Sequence, residues 1–531
     1  MNGLRLTCHA RLWCAFALVA LFAGGCNSGS QQTSATSSSS GTSPATKKSD
    51  VTRKKGPDGI DEEATPLAPE SIAQIEKFCG NCHRVPDSGT NPKSEWQREV
   101  TQGFVLYDDT LRTDLERPDR KETLRYFRDR APDELKFTLA KDVPSSPTNV
   151  KFAIVPLDGL QPVSLAGISQ IEWEADTRSL VTCDMSSGDV LRWATDTWTS
   201  TVITQAMNSC RVTPVDWDKD GGKDYLLADL GSFVAGDHSK GKVQLLKEEN
   251  GKYRPILLAA ELGRTCEAIP FDYDEDGDLD VVVAEFGWRT TGSLFLLRNK
   301  GTPGDSPEFE KETIDRRHGA LGVSLADFDG NGKQDLLVAY GQEIETVEIF
   351  YNHGKGVFEN RIVRKSEDPA FGSSWVGAVD IDRDGRPDLL HSNGDSLDRF
   401  IPRPYHGVRW LRNNGDGTFE EHPIGLLPGS SQAQAGDIDG DGDLDVVSVA
   451  LMFGAEKVPD DTFDGVVWFE QKENHQWVKH AVERDDCNYA AVELVDIDND
   501  GRLDIVTGGM GEIARPRPIL SVFRNEIRNA K

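Results

Sequence analysis

Six short stretches of the chain crowd carboxylates at one fixed spacing. They are Asp216, Asp218, Asp220 and Asp224; Asp272, Asp274, Asp276 and Asp280; Asp327, Asp329, Asn331 and Asp335; Asp380, Asp382, Asp384 and Asp388; Asp437, Asp439, Asp441 and Asp445; and Asp496, Asp498, Asp500 and Asp504. Each reads D-x-D-x-[DN]-G-x-x-D. Oxygen side chains packed this closely repel one another unless a hard cation sits among them, so calcium is the expected partner, up to six ions in all. The glycine gives the positive φ that a tight turn needs. An EF-hand opens the same way but requires a bidentate Glu at position twelve and flanking helices. Position twelve here is Leu227, Val283, Val338, His391, Ser448 or Thr507, and the flanks are short and β-branched. The loops are therefore expected between strands, with a structural rather than a catalytic cation. Solvated acidic turns without metal are the alternative.

A second constellation is Cys79-Gly-Asn-Cys82-His83. C-x-x-C-H is the attachment signature of one covalent haem c: both thiols add to the vinyl groups, and the histidine is an axial iron ligand. A lone redox C-x-x-C or a zinc half-site is the alternative. A tetrahedral zinc needs a fourth ligand nearby, and no further Cys or His occurs before Cys183. Ile72, Ile75 and Phe78 share a helical face leading into the motif, and residues 94–100 and 117–133 predict two more helices. This arrangement over residues 69–142 resembles a small all-α class I cytochrome c domain. It departs from that family in one respect. Between His83 and Met185 there is neither Met nor His to complete the iron, so the second ligand is absent, unusual or borrowed from elsewhere in the chain.

The acidic loops recur at intervals of 56, 55, 53, 57 and 59 residues, with several short strands per interval. Such a period predicts a mainly β protein built as a propeller. In the third acidic unit the strands are expected at 321–328, 335–339, 347–351 and 358–363. A degenerate copy without the ligand set precedes the first loop, with strands at 167–173, 179–183, 190–193 and 200–204. Seven blades result, six of them with calcium loops. The last unit stops at its third strand, and residues 151–157 are expected to supply the fourth and close the ring, which removes two exposed edges.

These repeats, over residues 148–527, resemble the FG-GAP or VCBS family, the blade type of the integrin alpha-subunit propeller. The resemblance implies that the loop residues named above bind calcium between the first and second strands of a blade. With the haem motif in front, the chain resembles bacterial envelope proteins that join a cytochrome c domain to FG-GAP repeats.

The amino end carries Arg5 and Arg11, an apolar run over residues 12–23, and small residues before Cys26. The run is too short to span a bilayer as a mature helix, so residues 1–25 read as a signal peptide. The small residues resemble a lipoprotein lipobox, with Cys26 lipidated; ordinary secretion is the alternative. Residues 26–68 are Ser/Thr-rich and then charged, a flexible tether. These features place the protein in a bacterial cell envelope, in the periplasm or at the cell surface, with contact to the membrane through a lipid anchor only. A net charge of -29 argues against nucleic acid. Cys210 and Cys266 each stand six residues before an acidic loop; a disulfide and two buried thiols are both open.

A ligand face is expected opposite the calcium loops, where entry segments and two long loops bring Arg264, Glu267, His318, Trp375, Asp395, Tyr405 and His406. The leading functional reading is an anchored cytochrome that transfers electrons to a redox partner and docks a protein or glycan on its propeller. An enzymatic propeller oxidising a sugar or alcohol and feeding its own haem is a second reading, with Arg264, Glu267 and His318 as acid-base candidates. Adhesion without redox turnover is a third. No catalytic residue is assigned.

Overall fold

The computed structural model describes residues 66–81, 83–109, 112–143, 146–157, 160–301, 308–366, 368–397, 401–452, 462–484 and 486–526, with the backbone alone for 512–517. The expected signal peptide with Cys26, residues 26–65 of the tether, and Cys82 lie outside the described residues.

The chain is mainly β, with a short helical segment in front. Helix Pro69–Cys79 begins on a proline, whose missing N–H is no loss in the first turn, and buries Ile75 and Phe78. Helix Trp96–Asp109 buries Trp96, Val100 and Tyr107. It runs nine residues beyond the stretch expected from sequence, because Val100 and Tyr107 continue its apolar face past residue 100. Helix Arg120–Arg128 is shorter than expected. Asp119 caps it by accepting hydrogen bonds from the Lys121 and Glu122 amides, and Pro118 and Pro132 bracket it. Aromatic rings hold the three together: Trp96 stacks on Phe127 at 4.4 Å, and Phe78 meets Phe104 and Tyr107 at 5.0 and 4.9 Å.

Among the described residues the strands form five four-stranded antiparallel sheets and one eight-stranded sheet. Within each four-stranded sheet, strand order follows chain order. The third acidic unit is typical, with strands Ala320–Ala326, Asp335–Tyr340, Thr346–Asn352 and Phe358–Lys365. Its second strand is buried along its whole length, and Asp224–Asp229, Asp280–Glu285, Asp388–Asn393 and Asp445–Ala450 behave identically. Near-continuous apolar strings such as Asp-Leu-Leu-Val-Ala fit a strand covered on both faces. The fourth strand Phe358–Lys365 is mostly exposed and carries Glu359, Arg361 and Lys365, charges that protect a free edge. The core lies between neighbouring sheets: Leu226, Val243 and Leu245 of one unit pack with Val281, Val283 and Phe295 of the next.

The eight-stranded sheet unites the two ends of the repeat region. Strand Phe152–Ile154 pairs antiparallel with Leu520–Asn525, Phe152 opposite Asn525 and Ile154 opposite Phe523. The long strand Asp504–Arg517 then pairs with Val163–Glu174, the first strand of the degenerate unit, through Leu165, Ala166 and Gly167. Sequence reasoning did not anticipate this second pairing.

The first strand of each unit touches the first strand of the next, from Val163–Glu174 through Ser209–Val215, Thr265–Phe271, Ala320–Ala326, Ser373–Val379 and Ser430–Gly436 to Tyr489–Val495, which returns to Val163–Glu174. Every one of these seven strands carries a bulge at one equivalent position, at Ser169, Cys210, Cys266, Leu321, Ser374, Ser431 and Ala490. A bulge re-aims its side chain. Here Ser169, Ser374 and Ser431 donate hydrogen bonds to the carbonyls of Cys210, Ser430 and Tyr489 in the following unit. Cys210 and Cys266 are free thiols.

Three residues past the last bulge, Glu493 accepts from Gln434 Nε2 of the preceding unit at 2.8 Å. Burial pushes the Glu493 carboxyl up to about 7, against the Gln434 hydrogen bond and with the Glu172 charge adding to the rise. A folded-state pKa above the ordinary carboxylate value means a contribution to stability that is complete below about pH 4.5 and lost as pH rises through about 7. Glu493→Gln keeps the shape and removes the proton. It should therefore gain on the order of 1–3 kcal/mol over the unchanged chain between pH 4.5 and pH 8, read as the difference between their two melting curves. Parallel curves at both pH values would contradict this.

Candidate functional site

Each acidic turn joins the first and second strands of its unit, and its four ligand positions have separate tasks. The first aspartate folds the turn. Asp380 accepts from the Asp384 and Gly385 amides, and Asp496 accepts from those of Asp500 and Gly501. The third position faces a cation of the third strand, as in Asp218 with Lys247 at 2.6 Å, Asp274 with Arg298 at 3.0 Å and Asp382 with Arg412 at 2.6 Å. The fifth position closes the turn by accepting from the seventh amide, as Asp276 does from Asp278 and Asp441 from Asp443.

The ninth residue does more than sequence assigned to it. In all six turns its two oxygens accept backbone hydrogen bonds, one from the second residue of the turn and one from the end of the third strand. Asp388 takes Ile381 at 3.2 Å and Asn413 at 2.7 Å; Asp335 takes Phe328 at 2.9 Å and Asn352 at 2.7 Å. Asp224, Asp280, Asp445 and Asp504 repeat the pattern. Burial pushes Asp280, Asp335, Asp388 and Asp504 up to about 6 and Asp445 up to about 7, with neighbouring loop carboxylates adding to the rise.

In the first five turns, carboxylate oxygens of three residues lie within 4.8 Å of one another, among them Asp216, Asp218 and Asp220, and Asp380, Asp382 and Asp388. This is an all-oxygen set suited to a hard cation. In the second turn, Asp272 Oδ1 and Asp274 Oδ1 are buried without a hydrogen-bond partner, which a bound cation would satisfy. The degenerate unit makes the same point in reverse. Its turn has Glu174, buried and held by the Arg192 and Lys223 side chains at 3.2 and 3.4 Å. With Glu174 and Asp176 as its only carboxylates, this turn lacks the clustered set of the other units.

Sequence reasoning missed the residue that braces five of the six turns from the third strand. Asn299, Asn352, Asn413 and Asn525 donate to the carbonyl of the eighth turn residue, and Gln471 does the same. Asn413 and Asn525 also reach the preceding unit, at the carbonyls of Phe328 and Ile438. The signal was present as Asn-x-Gly at 299–301, 352–354 and 413–415.

In the helical segment, Cys79 ends its helix half-buried, and burial pushes its thiol up to about 11. The His83 Nδ1 lies 2.6 Å from the Arg84 carbonyl oxygen. As a donor to that carbonyl, Nδ1 leaves Nε2 with the lone pair, the tautomer an iron ligand requires. The donor set therefore fits the haem implied by the motif, with Cys82 outside the described residues.

The segment is docked on the repeat sheets. The Asp87 amide donates to Asp368 Oδ2 at 2.7 Å, and Arg403 Nη2 donates to the buried Asn91 Oδ1 at 2.9 Å. Farther along, the Ala140 amide donates to the Thr462 carbonyl, and Phe137 packs edge-on against Phe463. Both long loops of the expected ligand face thus contact this chain's own helical segment.

That contact and the local packing decide where the seven face residues stand. His406 is fully buried, its Nδ1 accepting from the Arg403 amide. Tyr405 is half-buried, stacks on Phe371 and donates to the Ala370 carbonyl. Asp395 is exposed and accepts from the Leu397 amide. Glu267 is a strut between units, accepting from the Val323 amide at 2.7 Å and from Arg211 at 3.1 Å. Arg264 lies over the Phe286 ring. Trp375 is half-buried and covers Gly377 on its own strand. His318 pairs through Nε2 with Glu343 at 2.8 Å.

A family model described as FG-GAP-like repeat matches residues 272–338, 327–391 and 393–448. The chain thus carries FG-GAP-like repeats at three positions, spanning the second to fifth acidic turns. No curated protein matches the chain. Among the described residues no helix is long and apolar enough to cross a membrane.

Proposed function

We propose that this chain is an envelope-anchored c-type cytochrome whose seven-bladed, calcium-braced propeller serves as a platform for the haem segment and for a protein or glycan partner. One observation carries the redox half of this reading: the C-x-x-C-H string ends a helix and places a histidine whose Nδ1 is already committed to a carbonyl. Cys79 and Cys82 would hold the group covalently and His83 would ligate its iron. When bound, such a group supplies one-electron exchange between ferric and ferrous iron. The chain's own contribution is to fix the imidazole through the Arg84 carbonyl and to pin the segment through Asp368 and Arg403.

The platform half rests on the FG-GAP-like match, which favours a binding surface, on the sequence of contacts from each first strand to the next, and on the unsatisfied oxygens of Asp272 and Asp274. Up to six calcium ions would sit in the turns. The anchor reading rests on the sequence around Cys26.

The test is whether haem survives denaturation. Full-length protein matured with haem, denatured and treated with pyridine, should retain a haemochrome spectrum on the chain, and Cys82→Ala should lose most of it. A chain that gives up all its haem on denaturation, or takes none, would sink the cytochrome reading and leave a binding protein.

A further inference from the structure

The helical segment has no internal partner for the iron side opposite His83, since neither Met nor His follows before Met185. The contact between segment and sheets offers one. A cavity of about 370 Å³ lies there, with His83 and Arg84 on one wall and Arg317, His318, Glu343 and Lys365 on the other. Among the described residues lining it, His318 is the only imidazole or thioether besides His83.

The two histidines are prepared in complementary ways. His83 commits Nδ1 to a carbonyl, which leaves Nε2 as the metal-binding atom. His318 commits Nε2 to Glu343, which leaves Nδ1. Ligating imidazoles commonly give their other ring N–H to a carboxylate or a carbonyl, which fixes the ring and makes the free nitrogen more basic. His318 is also seated by a close approach of backbone. Gly292 has φ +123°, and a Cβ there would lie 2.6 Å from the His318 Cβ, so that position excludes any side chain. Gly319 follows at φ +87° and turns the chain back into the strand Ala320–Ala326.

We propose that His318 is the second axial ligand of the iron held by His83, so that one haem is shared between the helical segment and the repeat sheets, with Glu343 as the positioning residue for the His318 ring. This rests on the reading of residues 79–83 as a haem attachment site. The bond formed is a coordination bond from an imidazole lone pair, and no electron is transferred in making it. A haem completed in this way would be sensitive to whatever displaces the segment from the sheets.

The experiment is visible and electron paramagnetic resonance spectroscopy of the full-length, haem-matured protein, oxidised and reduced. The unchanged chain should be low-spin with two imidazole ligands. His318→Ala should turn high-spin and five-coordinate and should return to the low-spin spectrum on addition of imidazole, a rescue that a merely structural role would not give. His318→Gln, which retains a hydrogen-bonding partner for Glu343, should keep the unchanged chain's circular dichroism and covalent haem content and still be high-spin. Glu343→Gln should keep the low-spin spectrum with a raised midpoint potential. Covalent haem with a high-spin spectrum in the unchanged chain, or a low-spin spectrum that survives both His318 variants, overturns this proposal alone. Denatured protein without covalent haem overturns the attachment reading, and this proposal with it.

Discussion

Chelation of divalent cations should lower the melting temperature of the full-length protein by more than about 10 °C, and calcium should restore it. The size follows from linkage. A site held at about a hundredfold its dissociation constant adds about 2.7 kcal/mol, and six turns share the same ligand pattern. Without a cation, each turn keeps several carboxylates near each other, and in the second turn two buried oxygens lack any partner. Magnesium should restore less, because it demands a small octahedral shell and gives up its water reluctantly. Calorimetry with and without chelator reads the effect directly. An unchanged melt in chelator would remove calcium from the account and leave the turns held by their own hydrogen bonds.

Asp388→Ala should cost about 3–5 kcal/mol, and most of that loss should persist in chelator. Asp388 is fully buried and is the acceptor for the Ile381 and Asn413 amides. Its removal leaves two interior donors without partners at about 1–3 kcal/mol each. Asp382→Ala supplies the contrast. Asp382 pairs with the part-exposed Arg412 in the same turn and accepts none of the strand-end amides that Asp388 holds, so its loss should weaken calcium binding while costing about 1 kcal/mol in chelator, because Arg412 can turn to solvent. Denaturant titrations of both variants, each with calcium and with chelator, separate the two roles. Equal losses in both conditions for both variants would show that the turn has no division of labour between its third and ninth positions.

The repeat architecture was legible because its signals are local. Nine-residue turns with fixed acidic positions and buried strings such as Asp445–Ala450 declare both the period and the strand that follows. The pairing of Phe152–Ile154 with Leu520–Asn525 was readable as well, since the last unit stops one strand short and a spare strand stands before the first. What was not legible depends on contacts between units. The bulges at Ser169, Ser374 and Ser431 have no sequence mark beyond a small polar residue, and their meaning appears only when the next unit's carbonyl stands opposite. The same holds for the proposed ligand face. Glu267 and His406 look like surface chemistry in a one-dimensional pattern, yet one spans two units and the other is buried beneath Arg403. Arg403 itself is engaged by Asn91, a residue far earlier in the chain, and no periodicity connects the two.

The pairing of Phe152–Ile154 with Leu520–Asn525 also sets a timetable for biosynthesis. The strand that closes the last unit is made first among the repeats, and its partner is made after every other strand described. Until then the intermediate units can form their local meanders, but Phe152 and its neighbours have no strand to join. That pairing must wait until residues 520–525 have been made, and a product truncated before residue 520 would keep an open edge for as long as it exists.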